Sequence, residues 1–257
     1  MKNLLAAIVD GEHDATIHLR TTPYHYLTIH PALPWDLYRQ LMNERPGWRD
    51  IAQGETRANI RKDLSYRDVV EKRRGNPTAL WLEFLEAHVT AEFYRDACSM
   101  LEIEDRTLKE DYQIIPRRMR SKNRLQRINM DCLVGINTPN SKGKPDRVRG
   151  PHVDFPGELW AGMLYMPHWL DSAGGDLLIY RSTKPPDEMI FSGKAEVKDE
   201  DVEEVDMCAY APNTAVFFEN GLSSLHGVGY RRPSVLPRQL VNFVAEVSVK
   251  QFDLRRK

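Results

Sequence analysis

The sequence has little cysteine. Its three cysteines, Cys98, Cys132 and Cys208, lie far apart and form no C-x-x-C pair. An odd number of separated cysteines argues against a disulfide framework and against a structural zinc site. We therefore expect three isolated thiols in a reducing compartment.

Long apolar runs are also missing. No stretch approaches the roughly 20 apolar residues that span a membrane. The short apolar segment near the start is followed at once by Asp10, Glu12 and Asp14, which is too soon for a signal peptide. The sequence therefore predicts a cytoplasmic protein without a membrane partner.

Neither sign of charge is in excess, since 36 Lys and Arg face 37 Asp and Glu, and the formal net charge is −1. This balance gives no indication of a nucleic-acid partner. The basic run 116–122 is interpreted as a charged surface segment. With 257 residues, 41% of them hydrophobic, the chain is expected to form one domain over 1–257.

The first half, 1–122, has mixed patterns in which helices are prominent. A short strand is predicted at 27–29, and helices are predicted to begin at Pro34 and Ser65. Apolar residues three and four apart predict one longer helix from Pro77 through Phe93. His88 lies on that apolar stripe and is interpreted as a core histidine, not a ligand.

The second half, 123–250, has short strand patterns. They cover 125–134, 161–166, 175–180, 214–218 and 238–247, with turns at 139–141, 156–157, 173–175 and 227–229. Such a series predicts an α+β protein with a mainly β core, a double-sheet jelly roll or barrel. The acidic segment 184–206 is interpreted as a solvated excursion between strands, with a lid over a pocket as the alternative.

One H-x-[DE] triplet occurs, His152-Val153-Asp154. With 8 histidines and 37 acidic residues in 257, about one such triplet is expected by chance, so its context decides. Residues i and i+2 of an extended segment point to the same side, so both side chains can bind one metal. His226 follows the apolar run 215–218 and is the candidate third ligand. Two imidazoles and one carboxylate leave three octahedral positions open, which suits Fe(II), whereas zinc prefers a closed tetrahedral site or a single open position.

Six segments in order carry a family resemblance. They are Pro151-His152-Val153-Asp154, Gly162-Met163-Leu164-Tyr165-Met166-Pro167, Ala173-Gly174-Gly175-Asp176-Leu177-Leu178-Ile179-Tyr180, Pro212-Asn213-Thr214-Ala215-Val216-Phe217-Phe218-Glu219-Asn220, Ser224-Leu225-His226-Gly227-Val228 and Arg238-Gln239-Leu240-Val241-Asn242-Phe243. Over about residues 125–247 the chain resembles the 2-oxoglutarate/Fe(II)-dependent oxygenases of the prolyl-hydroxylase-like type. The resemblance implies a double-stranded β-helix, a jelly-roll or cupin-like core, buttressed by the N-terminal helices.

The resemblance also assigns a co-substrate anchor. Arg238, twelve residues after His226, is expected to hold the distal carboxylate of 2-oxoglutarate, because its planar fork pairs bidentately with carboxylates. Arg231 and Arg232 compete for this role but precede Pro233 in a predicted turn, so we interpret them as exposed loop residues.

Further residues around the anchor are less well defined by the sequence. Tyr165 is expected to support the same carboxylate, with a plain core tyrosine as the alternative, and Asn129 is a further candidate contact. The family's small hydroxyl residue two positions after the arginine is replaced here by Leu240. Asp154 disfavours halogenation, because halogenases of the superfamily have a small residue at that position.

The activity implied is hydroxylation of an unactivated C–H bond with O2 and release of succinate and CO2, with ascorbate as a candidate reductant. The substrate is expected to be a small molecule or an amino-acid or peptidyl group. Two other interpretations stay open, a metal-binding cupin-like protein of different activity and a non-catalytic binding protein with this fold. Candidate substrate contacts in the first half are Trp35, Trp48, Trp81, Arg49, Arg57 and Arg61. The sequence does not predict the oligomeric state.

Overall fold

The computed structural model describes residues 1–71, 74–108, 112–117, 127–185, 188–193 and 195–254. Its helices are α1 (Leu4–Val9), α2 (Trp35–Asn43), α3 (Trp48–Ala52), α4 (Tyr66–Val70), α5 (Ala79–Ala87) and α6 (Ala91–Leu101). Its strands are β1 (Thr16–Arg20), β2 (Tyr26–His30), β3 (Arg61–Ser65), β4 (Gln113–Pro116), β5 (Arg127–Asn137), β6 (Glu158–Tyr165), β7 (Leu177–Ser182), β8 (Val202–Cys208), β9 (Thr214–Glu219), β10 (His226–Val228) and β11 (Arg238–Val247).

The strands form two sheets of unequal size. Among the described residues the large sheet has eight strands in the order β1-β2-β9-β6-β11-β5-β3, with β4 pairing in parallel to β5. The small sheet has the order β10-β7-β8. Backbone bridges from His152 to His226 and to Glu196 add the segment around residue 152 to the small sheet.

The chain passes back and forth between these sheets. It runs from β5 in the large sheet to residue 152 in the small one, back to β6, across to β7 and β8, back to β9, across to β10, and back to β11. Antiparallel strands that alternate in this way between two facing sheets form a double-stranded β-helix. The fold class predicted from the sequence is therefore confirmed.

One face of the large sheet is covered by helices. Even-numbered residues of β5, Ile128 to Ile136, share one core with Trp81, Phe84 and Phe93 of α5 and α6. Burying each large side chain of this kind stabilises the fold by about 1.5–3 kcal/mol. The other face looks toward the small sheet across a second apolar cluster of Ala161, Met163, Tyr165, Leu177, Ile179, Val216, Phe218 and Leu240 among others. Because the helices cover only one face of the large sheet, a cavity can form between its other face and the small sheet.

The predicted strands at 27–29, 161–166, 175–180, 214–218 and 238–247 are present with small boundary shifts. Residues 125 and 126 of another predicted strand lie outside the described residues, and β5 begins at Arg127. The helix predicted from Pro77 through Phe93 is wrong as a single element. It ends after Ala87, and Thr90 starts α6 by accepting a hydrogen bond from the Phe93 N–H at 3.2 Å. His88, at the break, is completely buried, as expected.

One prediction of irregular structure is also wrong. The turn predicted at 227–229 falls largely within β10, which pairs with β7. In the acidic segment 184–206, most of the described acidic side chains are exposed, while Met189, Phe191, Ala195 and Val197 are buried with Val153. Its last residues also begin β8. Residues 186, 187 and 194 of that segment and 118–122 of the basic run lie outside the described residues.

None of the described helices is long and apolar enough to cross a membrane.

Candidate metal centre

The structure brings His152, Asp154 and His226 together. One ligand atom from each lies within 4.8 Å of the others. His152 Nε2 is 3.6 Å from Asp154 Oδ1, and His226 Nε2 is 3.4 Å from Asp154 Oδ2. Within the described residues this is the only group of three His, Cys, Asp or Glu side chains placed to hold a metal ion.

The backbone fixes the spacing of the two histidines. The His152 N–H donates to the His226 carbonyl at 2.8 Å, and the His226 N–H donates to the His152 carbonyl at 2.9 Å. In an antiparallel ladder such a pair points its side chains to the same side. A Cβ atom on Gly227 would come within 3.0 Å of the Gly150 carbonyl oxygen, so glycine allows this close approach. Asp154 then follows two residues after His152, on the same side of the extended segment.

Hydrogen bonds select the tautomer of each imidazole. His152 Nδ1 lies 2.7 Å from the Gly150 carbonyl oxygen, and His226 Nδ1 lies 2.9 Å from the Ser224 carbonyl oxygen. Because a carbonyl oxygen only accepts, each Nδ1 carries a proton, and in the neutral imidazole the lone pair is then on Nε2. Backbone carbonyls that hold Nδ1–H in this way commonly orient histidine ligands for metals.

The electrostatics favour the metal-binding protonation states. Burial and the neighbouring His226 lower the pKa of His152 to about 4. Burial raises the pKa of Asp154, but His226 and His152 outweigh it and hold that pKa well below its usual value. Near neutral pH the site therefore offers a neutral imidazole at His152 and a carboxylate at Asp154, as metal binding requires.

Arg149 supports this carboxylate from the side. Its Nη1 donates to Asp154 Oδ1 at 3.4 Å, and its Nε lies 3.9 Å from Glu196 Oε1. The Glu196 backbone is itself bridged to His152. The acidic segment thus contacts the metal-ligand strand directly.

The triad opens into a cavity of about 560 Å³ between the sheets. Arg238, at the start of β11, lines the same cavity and is 2% exposed. Its Nε donates to the Gly175 carbonyl at 2.7 Å and its Nη1 to Asn137 Oδ1 at 3.4 Å, but its buried Nη2 has no partner. A buried guanidinium with no carboxylate beside it is costly unless an anion joins it. Its surroundings therefore fit a site for a carboxylate ligand.

Tyrosines surround this arginine. The rings of Tyr165 and Tyr210 each lie 5.1 Å from the Arg238 guanidinium carbon. The Tyr165 hydroxyl is buried without a partner, whereas Tyr165 is not among the residues that line the cavity and contacts Arg238 from behind it. The Tyr210 hydroxyl is already used, since it accepts the Gln239 N–H at 2.7 Å.

The two arginines that compete with Arg238 have other contacts. Arg231 is 1% exposed, and its Nη2 lies 3.1 Å from both carboxylate oxygens of Asp171. The expectation that Arg231 is an exposed loop residue is therefore wrong, because this buried ion pair joins two loops. Arg232 is exposed, as expected, and donates to the Ser172 carbonyl.

Other candidates from the sequence have different positions. Asn129 lies near the Glu246 carbonyl and does not line the cavity, whereas Asn137 on the same strand does. Leu240 is completely buried in the apolar cluster between the sheets. Of the candidate contacts in the first half only Arg61 lines the cavity, and Trp81 is a core residue. Five other cavity residues were not singled out as site residues from the sequence, namely Asn59, Asn137, Arg149, Glu196 and Asn242.

No protein-family model matches the chain, and no curated protein sequence matches it. Solved structures do match. The chain is similar to a prolyl-4-hydroxylase of Pseudomonas putida, with 16% identity, 95% of this chain and 98% of that one covered, and a TM-score of 0.44. It is also similar to an oxidoreductase of the 2OG-Fe(II) oxygenase family from Burkholderia pseudomallei, with 12% identity, 99% and 93% covered, and a TM-score of 0.41.

A third match is the dioxygenase for auxin oxidation 1 of Arabidopsis thaliana in its complex with 2-oxoglutarate, with 8% identity, 90% and 86% covered, and a TM-score of 0.43. The assignment of the fold rests on the strand order and register of the chain itself.

Proposed function

We propose that this protein is a 2-oxoglutarate- and Fe(II)-dependent dioxygenase. The observation that carries the proposal is the shared cavity of His152, Asp154 and His226 with the unpaired guanidinium of Arg238. Two imidazole nitrogens and one carboxylate on one side leave positions open for a bidentate ligand and O2, which suits Fe(II).

Each of these residues has a definite task in the proposal. The Nε2 atoms of His152 and His226 and one oxygen of Asp154 hold the metal. Arg238 Nη2 binds the distal carboxylate of 2-oxoglutarate, which supplies the buried guanidinium with its missing partner, and Tyr165 supports Arg238 from behind. The walls of the cavity exclude water and orient one C–H bond of the substrate.

When bound, iron and 2-oxoglutarate would together supply the oxidation, with O2 consumed and succinate and CO2 released. The outcome that we propose is hydroxylation of an unactivated C–H bond in a small-molecule, amino-acid or peptidyl substrate. Ascorbate is proposed as an accessory reductant. A zinc hydrolase or another cupin-like protein would use the triad but would leave the Arg238 pocket without a purpose.

Anaerobic spectroscopy tests the cofactor assignment. Addition of Fe(II) and 2-oxoglutarate to the metal-free protein should produce a weak visible charge-transfer band, because the keto acid chelates the iron. His226→Ala should abolish the band, whereas His18→Ala, which changes an exposed histidine of β1, should keep it. A wild-type protein that binds both ligands without any band would overturn the proposal.

Product analysis tests the reaction. Succinate release should depend on Fe(II), 2-oxoglutarate and O2, and a true substrate should gain the mass of one oxygen atom. Succinate release alone is insufficient, because uncoupled turnover also produces it. Addition of an oxygen atom to the substrate without consumption of 2-oxoglutarate would contradict the proposed reaction.

A further inference from the structure

Three polar residues form a row across the large sheet. Asn137 on β5 is directly opposite Arg61 on β3 and directly opposite Arg238 on β11. Residues opposite each other in antiparallel strands point to the same side, and all three line the cavity. Besides Arg238 and Arg149, the cavity is therefore lined by a third arginine, Arg61, one strand farther from the Arg238 pocket.

Gly135 makes room for Arg61. It is opposite Asp63 on β3 and Leu240 on β11. A Cβ atom at Gly135 would lie 2.7 Å from both Arg61 Cζ and Asp63 Oδ1, which real Cβ atoms essentially never do. The absence of a side chain thus lets the Arg61 guanidinium lie over the β5 backbone.

Asp63 orients that guanidinium. Arg61 Nε and Nη2 are both 2.6 Å from Asp63 Oδ1, and Asp63 does not line the cavity. Arg61 Nη1 has no partner among the described residues, and the side chain is 27% exposed. An arginine fixed along one edge presents its other edge in a defined direction, which lowers the entropy cost of binding a carboxylate.

An acceptor lies on the same wall. Asn59 has a φ of 56°, in the left-handed region that non-glycine residues rarely adopt, and is 5% exposed. Its Nδ2 donates to Asp146 Oδ2 at 2.9 Å, so its Oδ1 is the free end. That Oδ1 is buried without a partner, and Asn59 lines the cavity. An unpaired buried acceptor is costly unless a ligand donates to it.

We propose that Arg61 and Asn59 form a subsite for the primary substrate, in which Arg61 binds a carboxylate and Asn59 Oδ1 accepts a neighbouring N–H. The substrate class is thus an amino-acid-like carboxylate, including an N-acyl amino acid or a peptide C-terminus. That this ligand is the substrate rests on the proposed function, whereas its binding does not. The subsite shares a cavity with the triad and Arg238. The cavity would therefore hold the metal, 2-oxoglutarate and the substrate at the same time.

Fluorine NMR with three matched probes tests the subsite. N-trifluoroacetylglycine has both the carboxylate and the N–H, N-trifluoroacetylglycinamide lacks the carboxylate, and N-trifluoroacetylsarcosine lacks the N–H. With Zn(II) as a redox-inert metal and saturating 2-oxoglutarate, only the first probe should bind well. Each of the other two should have a dissociation constant at least about tenfold higher, since each loses one hydrogen-bonded group.

Variants assign the binding to the two residues. Arg61→Gln should weaken the glycine probe about tenfold or more, and Asn59→Ala should remove the preference for glycine over sarcosine. Gly135→Ala should also weaken binding, because its Cβ displaces the Arg61 guanidinium. Arg57→Gln is the matched control, since Arg57 is exposed and paired with Glu55. Thermal unfolding of each variant checks that it is folded.

Three results would overturn the subsite. They are equal binding of the glycine and glycinamide probes, unchanged binding in folded Arg61→Gln, and loss of probe binding when 2-oxoglutarate saturates. The last would mean that the probe binds in the 2-oxoglutarate pocket at Arg238 and not at Arg61. The probe measurements on wild type need no variant, so a misfolded variant does not remove the test. Repeating them without metal separates failure of the subsite from failure of the proposed function, which the charge-transfer band reports independently.

Discussion

The two faces of the large sheet are built from alternate residues of the same strands, yet their chemistry differs. On β5 the helix-covered face carries Ile128, Met130, Cys132, Val134 and Ile136. The opposite face of that strand carries Asn129, Asp131, Leu133, Gly135 and Asn137. Because the side-chain period of a strand is two, one strand supplies apolar packing on one side and, at Asn137, a polar group for the cavity on the other.

The histidines show the same contrast. His88, on the helix side, has both ring nitrogens used by the protein, with Nδ1 2.6 Å from the Phe84 carbonyl oxygen and Nε2 accepting the Leu4 N–H at 3.0 Å. His152 and His226 satisfy Nδ1 in the same way but direct Nε2 toward Asp154. All three histidines donate from Nδ1 to a backbone carbonyl. The difference is at Nε2, which accepts a backbone N–H in the structural His88 and faces Asp154 in the two candidate ligands.

Asp154→Ala should have the largest effect and should be confined to the cavity face. Loss of a direct ligand should lower Fe(II) affinity by more than the about 10- to 100-fold typical of a supporting residue. The free energy of unfolding of the metal-free protein should fall by less than the about 3–5 kcal/mol that loss of a large core side chain costs, because no apolar packing is lost. Metal titration and urea denaturation measure the two quantities. A large loss of stability would break the division between the faces.

Substitution by leucine should have opposite effects on the unfolding free energy at the two buried arginines, Arg231 and Arg238. Arg231→Leu leaves the fully buried Asp171 carboxylate unpaired and should cost about 3–5 kcal/mol of unfolding free energy. Arg238→Leu removes a buried charge that has no carboxylate partner, so the metal-free protein should be at least as stable as wild type. It should weaken 2-oxoglutarate binding by about 2 kcal/mol or more. Denaturation and ligand titration of both variants check this, and equal destabilisation would contradict it.

Phe243→Ala should affect the helix-covered face alone. Phe243 is completely buried, with its ring centroid 5.7 Å from that of Phe217 and 5.2 Å from that of Phe93. The cavity left behind should cost about 3–5 kcal/mol. Fe(II) affinity, measured well below the unfolding temperature, should be unchanged. A parallel loss of metal affinity would show that the two faces are coupled through β11.

His88 should make the helix-covered face sensitive to acid. Burial lowers its pKa to about 4 from an ordinary value of 6.5, so the unfolded chain takes up a proton that the folded one refuses. The contribution of neutral His88 to the unfolding free energy is therefore fully present above pH 6.5. It is lost as the pH falls from 6.5 to about 4, by up to about 3 kcal/mol. His88→Gln should have a smaller loss than wild type between pH about 7 and about 5. Equal losses on denaturation of the metal-free proteins would contradict this.

Much of the core was predictable because its strands are long and apolar. The limits of β11 match the prediction, Arg238 to Val247, since alternation and β-branched residues continue over its whole length. The metal triad was predictable from an H-x-D pair and a later histidine. Strands β1 and β3 were missed because their side chains are mostly polar and they lie at the edges of the large sheet. Strand β10 was missed because three residues that include a glycine resemble a turn.

The helix break and the cavity lining show a different limit. The apolar spacing continues through His88, and only the capping hydrogen bond of Thr90 ends one helix and starts the next. Asn59, Asn137 and Arg149 come from distant parts of the sequence, and only the strand register places them together. No local pattern contains that register, so these residues were not predictable one by one.

The reciprocal backbone hydrogen bonds between His152 and His226 have a consequence for how the protein handles its metal. The two imidazoles are spaced by the sheet and not by an ion, unlike the ligands of zinc fingers, which are unfolded without metal. The metal should therefore bind to a site that is already folded. Iron should exchange for zinc, manganese or cobalt by simple dialysis without refolding, and the choice among them would depend on supply in the cell, not on the folding pathway.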